Sequence, residues 1–271
     1  MQPSARVIAD SIGPYSDRLT TMEVVIHRFV LAEFNTHRAF SRNSASSRAI
    51  PAHRQMARVR EDPALPIVWP REKPGMQGGD ALPVQEQHQA RSAWLAASEA
   101  ALAHALELQA IGVHKSVTNR LLEPFMWHTV IVSSTEWQNF FRQRCSALAQ
   151  PEIREAAEEM RYALEESTPR ELTIGQWHLP YIDDQDIRDC HDSGEDPRFV
   201  SAARCARVSY RTHDGNRDVQ EDVMLYNRLV EASPPHASPL EHVATPSELG
   251  IMSGANFSGW TQLRTQVFGR M

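Results

Sequence analysis

The chain alternates between segments with strand or helix periodicity and segments too polar or too broken to bury. Val24, Val25 and Ile26 form a β-branched run that predicts a strand, and the pattern turns helical from Phe29 to Phe34. Residues 85 to 111 are rich in Ala, Leu and Glu and predict one long helix, stopped by Gly112. Further helices are predicted over residues 117 to 126, 134 to 146, 151 to 166 and 219 to 231, with Pro151 suited to a first helical turn. Residues 41 to 48 are Ser/Arg/Asn-rich and read as too polar for a core element. Residues 63 to 83 hold Pro63, Pro66, Pro70, Pro74 and Pro83 with Gly75, Gly78 and Gly79, and read as an irregular loop or lid. Residues 167 to 198 carry Asp183, Asp184, Asp186, Asp189, Asp192, Glu195 and Asp196 and read as an acidic linker. The last structured portion begins near Phe199 and passes through Pro234 and Pro235 into the segment from His236 to Val243.

Composition narrows the class. A chain of 271 residues with 41% hydrophobic and 23% charged residues is an ordinary soluble globular protein. A formal net charge of -6 argues against coating nucleic acid, which needs a basic surface. That average hides a local excess: Arg38, Arg42, Arg48, Arg54, Arg58 and Arg60 follow one another with no Asp or Glu among them, which suits a small anionic ligand. The three cysteines, Cys145, Cys190 and Cys205, are widely spaced and contain no Cys-x-x-Cys pair, so neither a disulfide framework nor a zinc site is indicated, and no metal is expected. No stretch is long and apolar enough for a membrane span, so the expected setting is the reducing cytoplasm.

Three constellations carry possible chemistry. Trp137, Phe140, Phe141 and Arg144 share one face of the helix predicted over residues 134 to 146. A guanidinium on an aromatic stripe must be paired, because an unpaired buried charge costs several kcal/mol. The partner is either an internal carboxylate or an anionic ligand. Residues 37 to 48 concentrate an imidazole, arginines and hydroxyls able to hold a phosphate, though composition alone also allows a solvated basic loop. The third constellation is His236, Ser238, Glu241 and His242. Pro239 interrupts any helix there, so Glu241 and His242 are as well suited to structural hydrogen bonds as to a ligand.

These stretches resemble the signature blocks of the flavin-dependent thymidylate synthases. His37, Arg38, Ser41, Asn43, Ser46 and Arg48 match Arg-His-Arg-x-x-Ser-x-Asn-Glu-x-Ser-x-Arg at fixed spacing. Asn139, Arg144, Ala149, Gln150, Glu152, Ile153 and Arg154 match a later block. Cys205 to Tyr210, with His236 to Val243, is similar to a block that comes first in the family but last in this chain, as a circular permutation would give. The resemblance implies a single catalytic domain over 1–271, with 20–166 and 199–271 in permuted order. Its fold would be α+β, a central mostly antiparallel sheet flanked by helices, assembled as a homotetramer.

The resemblance also assigns roles. His37, Arg38, Asn139, Ser238 and Ser209 would bind FAD. Glu33, Ser44, Ser46, Arg48, Arg120 and Arg144 would bind the nucleotide, and Arg144 would favour the electron-rich form of the pyrimidine. The implied reaction is C5 methylation of dUMP with methylenetetrahydrofolate and NADPH. Thr36 replaces the first Arg of the motif, Ser44 its Glu, and Glu33 a common Gln. These departures keep alternatives open: hydroxymethylation of dUMP or dCMP, or a flavin- or nucleotide-binding protein without catalysis.

Overall fold

The segment from Leu19 to His27 is buried over nearly its whole length because it becomes the middle of a sheet. A computed structural model describes residues 1–209, 217–248 and 256–269, with Ser209 described in its backbone only. The main sheet contains β1 (Ser4–Ile12), β2 (Leu19–His27), β3 (Ser41–Ser44), β4 (Trp127–Ser134) and β5 (Arg170–Glu171), in the order β3-β4-β2-β1-β5. Every pairing is antiparallel except that of β1 with β5. The fold is therefore α+β with a mostly antiparallel sheet. β6 (Ala244–Pro246) and β7 (Trp260–Gln262) form a separate antiparallel pair.

Helices cover the sheet. In chain order they are α1 (Leu31–Phe34), α2 (Ala52–Glu61), α3 (Val84–Ala110), α4 (Lys115–Thr118), α5 (Gln138–Arg144), α6 (Pro151–Glu166), α7 (Asp184–Ser193), α8 (Pro197–Ala206), α9 (Val219–Val230) and α10 (Leu263–Phe268). On one face, Met22, Val24 and Ile26 of β2 and Val130 and Val132 of β4 pack against Phe34, Phe40, Trp137 and Phe140 and against α6. α6 buries Ile153, Ala156, Ala157 and Met160, the i, i+3, i+4, i+7 stripe of a helix lying on a core. Ile131 points the other way, onto Cys205 and Val208. With both faces covered, β4 loses the two-residue alternation of a half-exposed strand.

The structure departs from the sequence expectations at several points. The polar segment starting at Ser41 is a short edge strand, because its backbone pairs with β4 from Ser133 to Val130. The predicted helix over 117 to 126 is α4 followed by a tighter 3-10 turn, Asn119–Phe125, with Pro124 inside it. The helix expected over 134 to 146 is shorter, Gln138–Arg144, since Ser134 belongs to β4. The stretch expected as an acidic linker folds. It contains β5 and α7, whose capping residue Asp183 accepts from Gln185 and Asp186, while the Asp186 side chain accepts from the Asp183 backbone. Several of its acidic side chains have internal partners: Asp186 pairs with Arg204 at 2.9 Å, Asp183 with Arg217 at 2.8 Å and Asp196 with Arg198 at 2.5 Å. By contrast α3, α6 and α9 fall close to their expected places.

Candidate functional site

The loop after α1 receives two guanidinium groups. Arg42, on β3, donates Nη1 to the carbonyls of His37, Asn35 and Phe34 at 2.9, 3.2 and 3.4 Å. Arg144, at the end of α5, donates Nε to His37 Nε2 at 2.9 Å and Nη2 to Thr36 Oγ1 at 3.1 Å and to the Glu33 carbonyl at 3.3 Å. All three acceptors of Arg144 are neutral, and among the described residues no carboxylate pairs with it. Its Nη1 edge makes none of these bonds. Because His37 Nε2 accepts, the ring's proton sits on Nδ1. Burial, then Arg144 and then Arg42, lowers the His37 pKa to about 4, so the imidazole is neutral at physiological pH. The ring is held edge-on to Phe140, their centroids 4.8 Å apart. The carboxylate of Glu33 has its Oε2 buried with no hydrogen-bond partner.

A second cluster forms at the other end of β3. Ser47 Oγ, Arg28 Nη2 and Arg120 Nη1 all donate to Glu123 Oε1, at 2.9, 3.0 and 2.6 Å. Burial pushes the pKa of the Glu123 carboxyl up, but the hydrogen bonds from Ser47 and Arg28 and the charges of Arg28 and Arg120 together hold it below its ordinary value. Asn119 Nδ2 donates to the carbonyls of Ser47 and Ile50 at 2.7 and 3.0 Å, which pins the serine-rich loop to the turn carrying Arg120. Lys115 Nζ donates to the Ala49 carbonyl at 2.9 Å. Arg48 is exposed beside these groups in sequence, and its amide donates to Ser46 Oγ at 3.3 Å.

Of the residues singled out in the sequence, the structure thus gathers Arg144, His37 and Glu33 in one place, and in another it joins Arg120, through Glu123 and Ser47, to the loop of Ser46 and Arg48 that follows Ser44 at the end of β3. β3 separates the two. Arg38 and Ser238 are exposed. Asn139 is exposed too and accepts from Arg142 and Gln143 of its own helix. The side chain of Ser209 lies outside the described residues. Glu241 pairs with Arg264, and His242 Nδ1 meets Ser133 Oγ at 2.7 Å, which fits the structural reading of that segment. Sequence reasoning passed over Ser47, Arg28 and Glu123. The i, i+3 spacing of Arg120 and Glu123 was the available signal. A cavity of about 450 Å³, lined in part by Ala45, Ile50, Gln55, Arg58 and Trp127, borders the loop; of the arginine run noted in the sequence it takes in Arg58, and it includes none of the residues assigned to flavin or nucleotide.

Residues 18–170, more than half of the chain and spanning both clusters, match the family model described as thymidylate synthase complementing protein. The chain belongs to this family. The matched region holds two of the three blocks read from the sequence; the third, from Cys205 onward, follows it. No curated protein matches the chain. Among the solved structures similar to it are two of a UMP/dUMP methylase PolB from Streptomyces cacaoi, bound with 5-Br dUMP and with 5-Br UMP. Their sequence identities are 16% and 15% and their TM-scores 0.48 and 0.47; each alignment covers 61% of this chain, and 90% and 89% of the methylase chains. Within this thymidylate synthase complementing family member, no helix among the described residues is long and apolar enough to cross a membrane.

Proposed function

We propose that the protein is a flavin-dependent enzyme that adds a one-carbon group to C5 of a pyrimidine deoxynucleotide. The leading reaction is methylation of dUMP by methylenetetrahydrofolate and NADPH. The observation that carries this reading is the guanidinium of Arg144, half-buried on an aromatic helix face and bonded only to neutral acceptors. A positive charge in such a setting is stabilised by an anion, and its free Nη1 edge suits a pyrimidine carbonyl taking on negative charge. Neutral His37 and Thr36 orient the group without cancelling its charge. Ser46, Arg48 and Arg120 would hold the phosphate and sugar, and Ser44 would line the same loop.

The donors available fit a flavin. Arg38 is an exposed guanidinium suited to its diphosphate, while Asn139 and Ser238 are exposed donors for ring or ribose edges. His37 and Ser209 belong to the same proposed set. Bound reduced flavin would supply the hydride that completes the methyl group. These residues lie on separate surface elements, so a second copy of the chain would complete the cofactor site, and a cytoplasmic homotetramer is expected. We also read 1–271 as a single catalytic domain in which the blocks over 20–166 and 199–271 are circularly permuted, with residues 63 to 83 as a lid.

A second reading draws on Glu33. Its buried, unpartnered Oε2 beside Arg144's anchor is an acceptor when ionised, which favours an amino group over a carbonyl. That makes dCMP an alternative substrate and hydroxymethylation an alternative outcome. The test is the absorption spectrum of the purified protein, followed by mass analysis of dUMP and dCMP after incubation with methylenetetrahydrofolate and NADPH. Bound flavin and a methyl increment on dUMP are expected, and an extra oxygen marks the hydroxymethyl route. Failure to take up flavin, with both nucleotides returned unchanged, overturns the proposal.

A further inference from the structure

Three donors from three separate segments converge on a single oxygen of Glu123. Arg28 comes from the turn after β2, Ser47 from the loop after β3, and Arg120 from the 3-10 turn before β4. Two guanidinium groups and a hydroxyl on one oxygen is the donor set of a phosphate oxygen site. We propose that Glu123 occupies a phosphate-monoester seat in the free protein, and that the substrate's phosphate displaces it.

The inference deepens the nucleotide reading above and rests on it: beside Arg120, which the motif resemblance already assigns to the nucleotide, it places the phosphate on Arg28 and Ser47, which the resemblance did not assign, and makes Glu123 its competitor. Two observations separate it from an ordinary internal ion pair. First, two of the donors are held by contacts independent of Glu123. Arg28 Nη1 lies 3.4 Å from His128 Nε2, and Ser47 is fixed through its carbonyl by Asn119. The cage therefore keeps its shape when the carboxylate leaves. His128 can brace Arg28 because it is neutral: burial, and then Arg28 itself, lowers its pKa to about 3. Second, the exit is open. The Glu123 side chain keeps 24% of its accessible surface and that of Arg120 52%, so the carboxylate can swing into water while a phosphate enters. Two cations to one resident anion leave a positive charge in the cage, and Arg48 and Lys115 add to it around the loop. A dianionic phosphate satisfies that surplus, and a carboxylate does not. The resident group thus sets a threshold: a phosphate monoester can cross it, and a neutral nucleoside cannot.

The test is calorimetric titration of inorganic phosphate, dUMP and deoxyuridine into the protein and into Glu123→Ala and Glu123→Gln. Removing the competitor is expected to tighten phosphate and dUMP about fivefold. Deoxyuridine binding should be unchanged, formate should compete with phosphate in Glu123→Ala, and adding Arg28→Met should abolish the gain. Equal or weaker phosphate binding by the folded variant overturns the proposal. Glu123→Gln keeps the side chain's size without its charge, and must show the same sign if the alanine variant does not fold. Tighter phosphate binding with no dUMP binding to either protein leaves the anion seat standing and removes the nucleotide reading. Turnover of dUMP with phosphate affinity indifferent to residue 123 does the reverse.

Discussion

At the scale of single residues, Thr36 explains how a departure from the family motif is absorbed. An arginine there would put a second cation against Arg144. The threonine hydroxyl instead donates to the Glu33 carbonyl at 2.7 Å and accepts from Arg144. Replacing Arg144 with lysine keeps the charge but not the fork, because one ammonium cannot reach His37, Thr36 and Glu33 and also offer a free edge. Arg144→Lys is expected to lower kcat about a hundredfold, roughly 2.7 kcal/mol of barrier, with Tm almost unchanged; steady-state kinetics beside a melting curve checks this. The motif residues were legible in the sequence because their side-chain types and spacing survive the substitutions. The anchoring of Arg144 was not, since its acceptors are a backbone carbonyl, a threonine hydroxyl and an imidazole whose proton position only folding fixes.

Elements differ in how plainly they announce themselves. α6 was readable end to end: Pro151 opens it and its apolar stripe keeps strict helical spacing. β4 was missed, because a strand buried on both faces shows a continuous apolar run with no alternation to count. α7 was mistaken for linker because its acidic residues look solvent-bound until Arg204 and Arg217 are brought alongside from later in the chain. These differences set the energetics. Ile153 is fully buried in the main core, so Ile153→Ala should cost about 2–5 kcal/mol of stability, whereas removing the α7 cap with Asp183→Ala should cost about 1 kcal/mol. Urea denaturation of the two variants would rank them, and equal losses would contradict the assignment of Ile153 to the core.

For the whole molecule, five histidines tie stability to acidity: burial lowers the pKa of His27 as well as those of His37, His128, His178 and His242. His128, His178 and His242 have pKa values lowered to about 3 and His37 to about 4, burial being the largest cause in each. His178 and His242 belong to one buried chain of hydrogen bonds: Ser11 to His178, His178 to Thr21, Thr21 to Ser133, and Ser133 to His242. In the unfolded chain each ring takes up a proton near its ordinary value of about 6.5. Unfolding therefore binds protons, and the stability that neutral rings contribute is complete above about pH 6.5 and drains away as the pH falls toward 3–4. Thermal melts between pH 7 and pH 4 should show a Tm that falls continuously; a flat profile would mean that these rings are accessible to water.

The strand order carries one more consequence. Residues 71 to 80 form an exposed loop, and a protease able to cut it would divide the chain into two pieces. β1, β2 and β3 would belong to the first piece, β4 and β5 to the second. Yet β4 lies between β2 and β3, and β5 lies outside β1. The pieces are interleaved like the fingers of two hands, so a nicked molecule should elute as one body from a sizing column and separate only in denaturant.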